Sequence, residues 1–283
     1  MWLAFAIAAM MAIGTSDFAA AFAGRRTTRQ VEILSVTWTQ HAIGTVLVAW
    51  AVLLIDPGSA DNTDLAWGVA TGLAIGIAKP LYFAGLSYGS ITVLAPITTV
   101  LSILVPVGFA LTTGESPGML ALLGIVLAVP AVVMISSRST GASNRWSTGL
   151  VLATAFVCGS LFGLSAILIG EMGEDAGLQP LLAASLIIWL FVTIGTLAAR
   201  ARLITSGPTL RPAVVSGLLD GTGAAFITLA LQRGEVSVAA TLLGLAPVVS
   251  VLLAWLILRE HLDLLHRAAI LATCLAIVLM STG

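Results

Sequence analysis

Apolar runs of about twenty residues follow one another along almost the whole of this chain, and that pattern leaves few folds open. A helix rises 1.5 Å per residue, so about 20 mostly apolar residues cross the ~30 Å hydrocarbon core of a bilayer. Read on that rule, the sequence predicts spans near 2–23, 34–55, 65–86, 91–113, 117–136, 148–168, 180–200, 212–232, 237–258 and 265–282. Short connections hold the turn and polar residues, as in Asp56-Pro57-Gly58 and Ser206-Gly207-Pro208. Of 283 residues, 59% are hydrophobic and 9% are charged; an average soluble domain has about 25% charged residues. A soluble core of this length cannot hide so much apolar surface, so the expected solvent is lipid and the expected class is an all-α membrane protein. A net charge of −1 with 12 Lys and Arg supplies no phosphate-tracking stripe, so nucleic acid is not an expected partner. Cys158 and Cys274 sit inside apolar runs without disulfide or metal-ligand spacing, and no metal or cofactor is expected. Ala21-Phe22-Ala23 imitates a signal-peptidase site, but the preceding stretch has no basic start and contains Asp17. It is expected to remain as a first membrane helix.

The second half repeats the first at an ungapped offset of 145 residues: Gly72, Gly76 and Gly89 fall on Gly217, Gly221 and Gly234, and Glu115 on Glu260. Apolar coincidences are cheap in such a chain; three glycines and a glutamate are not. The expected organisation is a five-helix repeat over 1–137, a linker over 138–147 and a second five-helix repeat over 148–283. Five is odd, so the second repeat enters the bilayer from the opposite side. The ten helices then form two inverted repeats, a plan many secondary transporters use.

Charge sets an orientation. The loops after spans 1, 3, 5, 7 and 9 carry Arg25, Arg26, Arg29, Arg138, Arg145, Arg200, Arg202, Arg211, Arg259 and Arg267, whereas the other side carries only Arg233. The positive-inside rule places the Arg-rich loops in the cytoplasm and both termini outside. The plasma membrane is the expected location.

The chain resembles the drug/metabolite transporter superfamily in its ten-helix EamA-type branch. The resemblance rests on Gly14-Thr15-Ser16-Asp17-Phe18, on the segments 84–96 and 229–240, and on the glutamates Glu115 and Glu260 closing spans 4 and 9. It implies a secondary transporter, often an exporter, of amino acids or other small metabolites. Members of that branch usually place both termini in the cytoplasm, the reverse of what the arginines indicate here.

Ionisable side chains near the bilayer centre cost about 2.5–3.5 kcal/mol each on insertion scales. Four are nevertheless present well inside spans: Asp17, His41, Lys79 and Asp220. At 1.5 Å per residue each lies about 3–6 Å from the middle of its span, toward the Arg-rich side. One reading is structural, with Lys79 paired to an aspartate and His41 bonded to a carbonyl. The other places the belt in a water-accessible chamber between the repeats. Two carboxylates against one ammonium leave one acid able to exchange protons. Asp17 is the expected coupling group, with Thr15 and Ser16 as relay or solvation. Lys79 is expected to bind an acidic group of the substrate or to hold Asp220 when the site is empty. Tyr82 is expected to line the same chamber, and Trp38 and Gln40 to face it.

Pro80, Pro96, Pro106 and Pro247 are candidate hinges or gates, because a proline in a helix frees a carbonyl. Two other classes of function compete with transport. Gly85-Leu86-Ser87-Tyr88-Gly89 fits G-x-S-x-G, the mark of a serine nucleophile, but its repeat partner Ala230-Leu231-Gln232-Arg233-Gly234 has no serine. The segment reads as a turn between spans. Loops of about a dozen residues or fewer leave little surface for a scaffold to present, and no phosphate-binding loop provides an ATPase. The expected function is transport of a small polar molecule by alternating access, coupled to protons. One chain holds both halves, so a monomer is able to carry the complete site.

Overall fold

The computed structural model describes residues 1–24, 32–54, 58–88, 91–136, 146–258 and 264–282. Arg25, Arg26, Arg29, Asp56, Gly89, Arg138, Arg145, Arg259, Glu260 and most of the 138–147 linker lie outside the described residues. The described elements are helices: α1 (Trp2–Gly24), α2 (Glu32–Leu54), α3 (Asn62–Tyr88), α4 (Ile91–Thr112), α5 (Met119–Ser136), α6 (Thr148–Gly170), α7 (Gln179–Ala198), α8 (Leu210–Arg233), α9 (Val236–Gly244), α10 (Ala246–Leu258) and α11 (Leu264–Thr282), with one-turn 3₁₀ helices over 174–176 and 207–209. Eight segments are long and apolar enough to cross a membrane, and two shorter apolar helices in α5 and α11 complete ten spans. Large apolar side chains such as Leu53, Val126, Leu190 and Leu271 stand exposed along them. In lipid such faces need no polar cover, whereas each backbone amide must be bonded internally, which selects helices.

The ninth span departs from the sequence expectation. Instead of one helix over 237–258 it is two, α9 and α10, broken at Leu245. Pro247 has no amide proton to continue the ladder. The Leu245 and Val248 amides instead bond three residues back, to Leu242 O (3.1 Å) and Leu245 O (3.0 Å), tightening the chain into a single 3₁₀-like turn. Helices α3, α4 and α5 run unbroken through Pro80, Pro96, Pro106 and Pro130.

Helix contacts close a ring. Helix α1 packs on α8, α8 on α2, α2 on α7, α7 on α3, α3 on α6, α6 on α4, and α4 on α9, while α9 and α10 return to α1. Helices α5 and α11 pack on each other outside it and reach it through α4, α9 and α10. Exchanging the halves turns α1 into α6, α2 into α7, α3 into α8, and α4 into α9 and α10. The ring order is unchanged by that exchange, as an inverted repeat requires.

Glycines set two equivalent seams. A Cβ on Gly217 or Gly221 of α8 would stand 2.6 Å from Gln40 O or 2.9 Å from Gly44 O of α2. Their repeat partners Gly72 and Gly76 meet α7, at Ala184 O (2.8 Å) and the Phe191 ring (3.1 Å). Small residues are what allow helix backbones to approach this closely in a membrane.

The ring is packed unequally along its length. At the Arg-poor end a large apolar cluster joins both repeats through Met10, Ile103, Val107, Ile169, Met172, Leu231 and Leu242, and a second, of Val48, Ala51, Val52, Leu178 and Leu181, joins α2 to α7. Loops lock together there: Ser59 donates its amide to Asp175 O (2.7 Å), and Gly173 donates its own to Asp64 Oδ1 (2.8 Å). At the Arg-rich end the core divides. Ala23, Val36 and Ala213 join α1, α2 and α8, whereas Leu94, Val151 and Ala155 join α3, α4 and α6, with Tyr82 packed against them.

Candidate functional site

The charged belt lies where those two groups of helices part. Its members come from four spans, because α1, α2 and α8 are ring neighbours and α3 reaches them from beyond α7. Lys79 on α3 approaches His41 on α2, with Nζ 2.9 Å from Nε2. An ammonium has only donors, so His41 Nε2 accepts. The imidazole proton then sits on Nδ1, which lies 3.5 Å from Asp220 Oδ2 on α8. The His41 side chain is 7% exposed and that of Asp220 20%. His41 therefore stands between cation and anion in a relay of three helices, where a direct Lys79–Asp220 contact was expected. This arrangement leaves each polar group of the triad with a partner, which a low-dielectric interior demands.

Asp17 lies on the α1 face turned toward this relay. Its carboxylate interacts electrostatically with Asp220 and Lys79 and with the Tyr82 hydroxyl. Part of its surface is left uncovered by protein. Tyr82 stands edge-on to Phe162 of α6, with ring centroids 5.9 Å apart. The structure thus brings Asp17, His41, Lys79, Tyr82 and Asp220 together from α1, α2, α3 and α8.

The neighbours expected to serve Asp17 are otherwise employed. Thr15 Oγ1 donates to Met11 O in its own helix (2.7 Å). Ser16 is fully buried and faces Ser216: Ser16 Oγ donates to Ser216 O (2.9 Å), and Ser216 Oγ donates to Ser16 O (3.0 Å). Gln40 Nε2 adds a bond to Ser16 Oγ (3.3 Å). Ser16, Ser216 and Gln40 thus fasten α1, α2 and α8 to one another. Trp38 donates from Nε1 to Thr193 Oγ1 on α7 (2.9 Å) and lies against Trp189, so it anchors the α2–α7 seam.

Residues 147–282 match the EamA-like transporter family. Those residues are the second of the two repeats, and it is that repeat which is similar in sequence to the family. No curated protein matches the chain in sequence. One solved structure, described only as the crystal structure of a protein, superposes with a TM-score of 0.75 at 15% identity, covering 99% of this chain and 96% of its own. At that identity the likeness speaks to the fold, and it extends over both repeats. This EamA-like protein is thus a multi-pass membrane protein of the drug/metabolite transporter type.

The fold also bears on the serine motif. Residues 85–88 form the last turn of α3 and not a loop between spans. A nucleophile elbow needs a sharp strand-to-helix turn that lifts its serine clear of the backbone, and a helix end lacks that geometry.

Two features of the EamA-like chain had no clear sign in the sequence. The Ser16–Ser216 pair lies 200 residues apart in sequence, off the repeat offset, so the internal homology does not link its members. The second is at the Arg-poor end. Glu115, beyond α4, accepts from Ser237 Oγ (2.8 Å) and from its amide (3.3 Å) at the start of α9. Glu115 and Glu260 were noticed only as a repeated pair. The carboxylate holds a helix N-terminus of the opposite repeat, where a negative charge is favoured.

Proposed function

We propose that this EamA-like protein is a secondary transporter moving a small polar metabolite or amino acid across the plasma membrane by alternating access. The observation that carries the reading is the Lys79–His41–Asp220 relay drawn from both repeats, with the Asp17 carboxylate turned toward it from α1. A scaffold has no use for four costly ionisable groups at one depth. In this reading Lys79 offers its charge to an acidic group of the substrate, His41 and Asp220 hold it when the site is empty, and Asp17 takes up and releases the coupled proton. Tyr82 forms part of the wall. With the Arg-rich loops in the cytoplasm, the small separate clusters at that end let the chamber open inward, and the large cluster and interlocked loops at the other end seal it outside. Net movement is outward. Pro247, beside the break between α9 and α10, is the favoured hinge; Pro80, Pro96 and Pro106 let α3 and α4 bend during the exchange.

The test is flux in vesicles. Purified protein, reconstituted and screened against labelled amino acids and metabolite pools, is expected to move a substrate faster when a pH gradient is imposed. Asp17→Asn is expected to bind that substrate and lose the response to the gradient. Full gradient-driven flux in Asp17→Asn would remove the coupling role.

A further inference from the structure

A groove outside the ring has chemistry of its own. It runs between the ends of α1 and α8 on the Arg-rich side, encloses about 650 Å³, and is lined by Phe18, Phe22, Pro208, Arg211, Pro212 and Val215, among others. Helical geometry turns it outward. On α1, Ser16 faces α8, Gly14 approaches Ala246 and Val249 of α10, and Asp17 faces the relay. At 100° per residue, Phe18 and Phe22 fall on the remaining face, and their rings stack 6.2 Å apart. On α8, Gly217 and Gly221 meet α2 and Asp220 faces inward. Arg211 and Val215, one turn apart and both exposed, lie on the opposite side. Both walls therefore face lipid.

Depth places the arginine. Helix α8 has 24 residues, about 36 Å at 1.5 Å per residue, and exceeds the ~30 Å hydrocarbon core. Arg211 in its first turn thus lies in the headgroup layer, while Phe18, Phe22 and Val215 descend into the acyl region. A fixed cation above an apolar trough matches a molecule with an anionic head and a hydrocarbon tail. Bulk zwitterionic lipid satisfies the trough but gives the guanidinium a head with no net charge.

We infer that the α1–α8 groove is a binding site for one anionic phospholipid, its phosphate on Arg211 and an acyl chain along Phe18, Phe22 and Val215. A basic residue between spans at the cytoplasmic leaflet suits such a head. The seam that the lipid covers carries Asp17 on one helix and Asp220 on the other, so the lipid steadies the two spans that present the acids.

Native mass spectrometry of the full chain in detergent tests this. Phosphatidylglycerol, phosphatidylcholine with the same chains, and inorganic phosphate are offered separately. Wild type is expected to retain phosphatidylglycerol about five-fold better than phosphatidylcholine, the factor one arginine contributes at a charged membrane surface. It is expected to retain no phosphate. Arg211→Gln is expected to bring the two lipids level, Arg211→Lys to keep most of the preference, and Val215→Trp, which fills the trough, to reduce retention of both. The melting temperature of each variant without added lipid verifies folding, and these exposed positions are expected to leave it unchanged. Equal retention of the two lipids by wild type, an undiminished preference in Arg211→Gln, or retention of phosphate alone would overturn the assignment.

Discussion

His41 decides how the charges inside the membrane are shared. It accepts from Lys79 on one ring nitrogen and faces Asp220 with the other, so its removal strands a cation and an anion together. His41→Leu is expected to lower stability by about 1–3 kcal/mol, the cost of leaving a buried polar group unsatisfied. The double variant His41→Leu with Lys79→Met is expected to recover part of that loss, because deleting both partners of a contact costs less than deleting one. Thermal unfolding in detergent distinguishes the two outcomes; a double variant weaker than the sum of its parts rejects the relay. The residues of the belt were legible in the sequence because each carries an insertion cost that only a purpose or a partner offsets. Their pairing was not. Opposite charges suggest Lys79 with an aspartate, and nothing in helical spacing shows that an imidazole stands between them. Ser16 was misread for a similar reason: adjacency to Asp17 along the chain suggests shared work, but a neighbour in a helix points 100° away.

Among the helices, the contact between α4 and α9 carries a pH dependence. Glu235 precedes α9, and burial, then the nearby charge of Glu115, holds its carboxyl above the ordinary range. The packed state therefore binds a proton more readily than the opened one at this position. Stability from this group is fully present below the ordinary carboxylate value and is lost as pH rises through the raised one. Amides at the start of α9 are expected to exchange faster with deuterium as pH rises through that window, after correction for intrinsic exchange. Glu235→Gln is expected to flatten the dependence; an unchanged profile would assign it elsewhere. Span positions were readable because rise per residue and bilayer thickness fix them almost alone. The break at Leu245 was not, since Pro80, Pro96, Pro106, Pro130 and Pro247 look alike in sequence. Neighbouring helices decide which ladder survives, and α3, α4 and α5 keep theirs.

Across the molecule, a large apolar cluster with interlocked loops at one end and small separate clusters at the other predict one-sided access to the site. In a background with Cys158 and Cys274 replaced by alanine, Asp17→Cys is expected to react with a membrane-impermeant thiol reagent added on the Arg-rich side. It is expected to be protected when the reagent is added on the other side. Equal labelling from both sides would contradict the packing asymmetry. The inverted plan was legible from three glycines and a glutamate at a constant offset, and of these Gly72, Gly76, Gly217 and Gly221 recur where backbones meet. Which end is closed was not legible, since a repeat presents the same residues to both faces and only their packing differs. The closed ring has a consequence for origin. Each half supplies every second stretch of wall and seals against its own mirror in topology, so an ancestral unit of half this length would have needed to insert in both directions in one membrane. Joining two copies head to tail removes that demand, fixes the stoichiometry at one to one, and lets the two copies diverge until a histidine on one side answers an aspartate on the other.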